Sequence, residues 1–346
     1  MEENRDEIAR DWGVLLVNLG TPEAPDRRGV ARFLRTFLSD PRVVDLPRWL
    51  WLPLLNLVII PLRATRVAAA YRSIWCAEGS PLLVFTRRLA VKLSAALPQS
   101  RGVVAGLRYG KPSIRQALEK LRSSGTRDVI VLPLFPQFSF TTTASVYDSV
   151  QAELQDMQWQ PRQLRVEDYH QDTAWVAAVA ASITSFREGA GKVEKLLFSL
   201  HGIPQRYVTN GDPYEHQCRA SCGAIARAAG LKDGEWLVTF QSRVGREPWL
   251  QPYTEETLRQ LAREGVQRLQ VICPGFAVDC LETLEEIAIR YREMFEVAGG
   301  TSLEYIPALN DSDLQVAALK AVVLERLQAE GEIKDRPGTD NSSLRA

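Results

Sequence analysis

The run Lys195-Leu196-Leu197-Phe198-Ser199-Leu200-His201 stops at Gly202-Ile203-Pro204. Its apolar residues fall on both parities, the pattern of a strand covered on both faces in a parallel sheet rather than of a half-exposed one. Glycine and proline then end it. In an open α/β sheet ligands gather in the crevice beyond the carboxyl ends of the strands, so the last side chain of such a strand, here His201, projects toward the chemistry. The other histidines, His170 and His216, lie in polar, irregular stretches.

The same pattern occurs near the amino terminus, where Leu15-Leu16-Val17-Asn18-Leu19-Gly20 with Pro22 echoes the strand and its stop. Ser113 to Gly125 reads as an amphipathic helix closed by a glycine, followed by the buried strand Val129-Ile130-Val131-Leu132-Pro133. Glu255 through Gly265 to Pro274 repeats that order. Buried strands alternating with amphipathic helices predict two doubly wound, Rossmann-like α/β domains with parallel sheets, related by an approximate duplication. The expected division gives 1–157 to the first domain and 158–310 to the second, with a polar, disordered tail over 332–346. No Gly-x-Gly-x-x-Gly follows either first strand, which argues against dinucleotide binding.

A second strand-to-loop passage runs from Leu269-Gln270-Val271-Ile272 through Cys273-Pro274-Gly275 into a helix crowded with carboxylates. Asp279 and Glu285 are explained by the preference of acids for helix amino termini. Glu282 and Glu286 are four apart, which puts both on one face, while Leu281, Leu284 and Ile287 hold the other face to the sheet. If the two strand ends are neighbours, an imidazole confronts carboxylates across a cleft.

Together these segments resemble the ferrochelatases, which insert ferrous iron into a porphyrin. The signature Ser-x-His-Gly-Ile-Pro is met by Ser199 to Pro204, and Glu-Thr-Leu-x-Glu by Glu282 to Glu286. Further matches include Tyr71-Arg72, Arg108-Tyr109-Gly110, Pro136-Gln137-Phe138-Ser139, Gly211-Asp212-Pro213-Tyr214 and Phe240-Gln241-Ser242-Arg243. The wording of Cys273-Pro274-Gly275-Phe276 is similar to the proteobacterial branch. The resemblance implies that His201, Glu282 and Glu286 are catalytic, that His201 and Glu282 meet the metal, and that Arg108, Tyr109, Phe138, Ser139, Thr142, Thr143 and Trp249 grip the ring. Tyr109 and Trp249 read equally well as core aromatics, and Arg108 as an ion-pair partner. The family's acid ladder commonly continues one turn on, where this chain has Arg290. The resemblance also implies a helix over 311–331 that packs back on the first domain.

The implied reaction is insertion of Fe(2+) into protoporphyrin IX, the last step of haem biosynthesis. Coproporphyrin III, another tetrapyrrole, or a carrier that merely holds a porphyrin or metal remain as alternatives, and the oligomeric state is left open. Corrinoid-type chelatases are expected to be shorter and to lack the amino-terminal half. Fe(2+) is then a substrate, and no resident cofactor is required. Some members hold a [2Fe–2S] cluster through a carboxyl-terminal cysteine set, but this chain has no cysteine beyond Cys280. Five cysteines without an export signal predict free thiols, the alternative being a cluster on Cys218, Cys222, Cys273 and Cys280.

Forty-two basic residues balance 42 acidic ones, so no global field favours nucleic acid. The first ten residues are too polar for a secretory signal, which predicts a cytoplasmic address. The apolar run Trp49 to Leu62 is interrupted by Pro53, Asn56 and Pro61 and falls short of the roughly 20 residues a spanning helix needs. It reads either as core or, by resemblance, as a lip over the site that makes loose contact with the inner membrane surface.

Overall fold

The computed structural model describes residues 11–190 and 193–335. Strands β1 (Trp12–Gly20), β2 (Val103–Tyr109), β3 (Asp128–Pro133) and β4 (Arg162–Arg165) form one sheet in the order β2-β1-β3-β4. Strands β5 (Lys195–His201), β6 (Trp236–Gln241), β7 (Arg268–Ile272) and β8 (Ser302–Ile306) form another in the order β6-β5-β7-β8. Every pairing is parallel, and the two orders are the same permutation, as a duplication requires.

Strands without polar alternation are buried on both faces here because helices cover both faces. One hydrophobic cluster lies between the sheets and joins Leu16 and Leu132 of the first to Leu196, Phe198 and Leu200 of the second. The helix Thr173–Ala190, which carries the chain from one sheet to the other, adds Trp175 and Val179 to it. The far face of the first sheet is closed by the helices Ile114–Ser123 and Thr143–Asp156, and that of the second by Thr254–Arg263 and the segment after Glu282. Ser113 and Gln116 form a capping box, and Gly125, at φ 79°, ends that helix in a conformation costly for any side chain.

Three expectations change. The boundary between 157 and 158 falls too early, because β4 pairs with β3 and belongs to the first sheet, so the division comes after Arg165. The closing helix runs Asp313–Asp335, so 332–335 are helical rather than tail, and 336–346 lie outside the described residues. Its packing partners are the helices Pro81–Ala96 and Thr173–Ala190, and Arg326 Nε donates to the Arg165 carbonyl (2.9 Å).

The third concerns the apolar run, which is continuous helix over Arg48–Ile74 and so is not limited to the 14 residues between Trp49 and Leu62. Pro61 has no amide to donate, and its ring would press on the carbonyl four residues back. The chain accommodates this by widening to a π-helical turn over Leu55–Ile59. This is the one helix among the described residues long and apolar enough to cross a membrane. Its second half carries Arg63, Arg66 and Arg72, and it packs Ala64, Ala68 and Tyr71 into a cluster with Val30 and Leu281, so it lies along the domain as an amphipathic helix.

Candidate active site

His201 is the last residue of β5, half-buried, with its ring 6.4 Å from that of Trp249. Its Nδ1 lies 2.6 Å from the Gly202 carbonyl oxygen, which can only accept. Nδ1 therefore carries the proton, and Nε2 of the neutral ring is left with its lone pair for a proton or a metal. A side chain at Gly202 would meet the Gln241 carbonyl at 3.1 Å and the Trp249 ring at 3.2 Å. Glycine there lets the indole close against the strand end.

The carboxylates come from the other strand end, on a segment that is π-helical over Glu282–Tyr291 rather than α-helical. A π turn takes i→i+5 bonds and is rare outside functional sites. It still keeps residues four apart on nearly one face, so Glu282 and Glu286 remain neighbours. Glu282 is half-buried. Its charge, after burial itself, pushes the Cys280 thiol and the Tyr71 phenol upward from their ordinary values. Tyr71 comes from the helix Arg48–Ile74, so that helix reaches the site, which sequence spacing did not indicate.

Glu286 is 6% exposed and surrounded by donors. It accepts from Ser242 N (3.1 Å), Ser242 Oγ (2.5 Å) and Tyr291 OH (2.9 Å), and its Oε1 is 3.4 Å from the Arg290 guanidinium. Arg290, where the resemblance puts an acid, also pairs with Glu285 at 3.5 Å. The outward end of the carboxylate row is thus closed by a cation.

The expected ring-gripping residues divide. Trp249, Phe138 and Thr142 are half-buried, and Trp249 Nε1 and Thr142 Oγ1 have no hydrogen-bond partner among the described residues. Ser139 is buried and donates to Asp212 at 2.8 Å, across the join between the domains. Thr143 is fully buried, its hydroxyl also without a partner among the described residues. Tyr109 is 1% exposed, packed on Phe37, with its hydroxyl 2.6 Å from Asp40. Arg108 donates to the same carboxylate at 2.6 Å and to Ser145. Both side chains are thus engaged with Asp40, in the loop that leads toward the helix Arg48–Ile74.

The four buried cysteines are free thiols. Burial foremost pushes all of them upward, which opposes the thiolate form that binds metal. Among the described residues, no group of three or more His, Cys, Asp or Glu side chains is placed to share a metal ion.

A family model described as Ferrochelatase matches residues 11–327. The chain belongs to the ferrochelatase family. A ferrochelatase of Edwardsiella ictaluri is 51% identical over 316 residues, 91% of this chain and 98% of the relative. One of Nitrosococcus oceani is 48% identical over 331 residues, covering 94% and 89% of the two chains. The solved structure of SirB from Bacillus subtilis with Fe3+ superposes with a TM-score of 0.55 at 12% identity, over 93% of this chain and 98% of that one, and shares the two-domain fold. This ferrochelatase is an enzyme of iron insertion, with Fe(2+) and porphyrin as its substrates.

Proposed function

We propose that this ferrochelatase forms protohaem from Fe(2+) and protoporphyrin IX with His201 as the first proton acceptor and Glu282 facing it across the ring. The observation that carries the assignment is the commitment of His201 Nδ1 to Gly202 O, which leaves Nε2 as the available lone pair. Insertion expels two pyrrole protons, so a base must stand on one face of the macrocycle while the metal arrives. A neutral imidazole suits both proton uptake and ferrous iron. Glu282, half-buried and not saturated by donors, takes up a proton or ligates the metal. Glu286, ringed by donors, fixes the π turn instead of exchanging protons.

Bending the macrocycle exposes a nitrogen lone pair, and binding energy used for bending accelerates insertion. Trp249, Phe138 and Thr142 are the open side chains that could grip the ring. In an anaerobic assay with ferrous iron, protoporphyrin IX is expected to give the haem spectrum with no added nucleotide. Tight porphyrin binding without metallation, or a requirement for ATP, would defeat the reading. Faster turnover of coproporphyrin III would transfer the assignment to that porphyrin.

The exposed face of Arg48–Ile74 is the second part of the proposal. Trp49, Leu57 and Leu62 are 79%, 76% and 74% exposed, with Arg48, Arg63 and Arg66 beside them. A row of large apolar side chains flanked by arginines suits the surface of an anionic bilayer, where porphyrins partition, and supports a cytoplasmic enzyme peripheral to the inner membrane. Leu57→Glu combined with Leu62→Glu is expected to abolish co-sedimentation with phosphatidylglycerol vesicles. Turnover of detergent-dispersed porphyrin should stay within about twofold, since both side chains are exposed and contribute little packing. Unchanged vesicle binding would remove the membrane role.

A further inference from the structure

We propose that Gln241 is a positioning residue for iron insertion, its carboxamide locking the strand that bears His201 to the π turn that bears Glu282. This rests on the roles just given to those two residues. Gln241 ends β6 opposite His201 and is 1% exposed, and its carbonyl accepts from Gly202 N at 2.8 Å. Its side chain is oriented without ambiguity. Oε1 accepts from Ser199 Oγ on β5 (2.7 Å) and from Cys273 Sγ beyond β7 (3.4 Å). Nε2 donates to the main-chain carbonyl of Glu282 (2.9 Å) and lies 3.4 Å from Glu286 Oε2.

A carboxamide has two acceptor sites and two donors, and all four are used here. The acceptor side faces two strands, and the donor side faces the helix. Its contact with a carbonyl inside the widened turn, rather than with a side chain, sets where the Glu282 main chain sits relative to the His201 strand end. No other side chain of this length offers an acceptor face and a donor face while staying neutral. Misplacement of reacting groups by about 1 Å costs on the order of 10² in rate, so loss of this tie should reach turnover while leaving the ring-gripping residues alone.

The test compares the parent, Gln241→Leu, Gln241→Glu and His201→Ala with ferrous iron and protoporphyrin IX across pH, after confirming folding by circular dichroism. Gln241→Leu is expected to lower kcat by about 10²-fold with KM for the porphyrin within about twofold. Gln241→Glu is isosteric and decides the matter if the leucine variant fails to fold. Its carboxyl can donate to the Glu282 carbonyl only when protonated. The groups in contact with it are Cys273, Glu286 and the Glu282 main chain, with Arg290 and Tyr291 held on Glu286 and His201 opposite in register on β5. Activity should therefore survive at the acid end and fall as pH rises through the new titration, a limb absent from the parent. Gln241→Leu within about threefold of the parent kcat, or a parent-shaped profile for Gln241→Glu, overturns the proposal. An inactive His201→Ala beside an active Gln241→Leu sinks this inference alone, whereas a fully active His201→Ala sinks the site assignment and this inference with it.

Discussion

His201→Ala is expected to lower turnover about 10²–10⁴-fold, the usual cost of removing a general base, while thermal or urea unfolding shifts by no more than about 1–2 kcal/mol. The stability expectation follows from position: the ring is half-buried at a strand end, and its hydrogen bond to Gly202 O is local. Glu282→Ala should be comparably damaging. Glu286→Gln should hurt less, because an amide oxygen still accepts from Ser242 and Tyr291 and the π turn persists. Single-turnover kinetics at saturating porphyrin separate these effects from binding. A tenfold loss at His201 would be too small for a base, and unfolding of the variant would make it a core histidine.

Asp40→Ala should produce the largest loss of stability, about 3–5 kcal/mol by urea denaturation, because it strands buried partners rather than removing an open side chain. Asp40 is buried and accepts from Arg108, Tyr109 and Ser145, with the Arg42 amide 2.8 Å from its other oxygen. Burial alone would push its carboxyl upward, but these hydrogen bonds and the Arg108 charge together hold it below the ordinary 3.8. A lowered folded value means that its contribution is fully present above 3.8 and is lost as pH falls through the folded value. The parent should accordingly lose stability below about pH 4 with a component absent from Asp40→Asn. If Asp40→Ala cost less than about 1 kcal/mol, the network would be incidental.

The central strands could be read directly because β1, β3, β5 and β7 are buried on both faces and their sequences show it. β4 could not. Arg162-Gln163-Leu164-Arg165 is a polar edge strand that looks like loop, and only its pairing with β3 assigns it. His201 was legible from its place at a strand end. The π-helical form around Glu282 was not, since a spacing of four serves α and π turns alike, and the carbonyl bond that Gln241 supplies comes from 41 residues away. The prolines in Arg48–Ile74 misled for a related reason: a helix that widens by one residue can absorb what a regular one cannot. Arg108 and Tyr109 were ambiguous in sequence because the residue that bonds both, Asp40, lies 68 and 69 positions earlier.

The two sheets share one strand order, yet their first crossovers are unequal: 21–102 separates β1 from β2, while 202–235 separates β5 from β6. An ancestor built from two identical halves would have presented the same strand end twice. The excess length of the first crossover contains the helix Arg48–Ile74, whose Tyr71 reaches Glu282 in the other half. The longer crossover of one half thus gives a helical wall to the other, where Leu281 and Glu282 follow the end of β7.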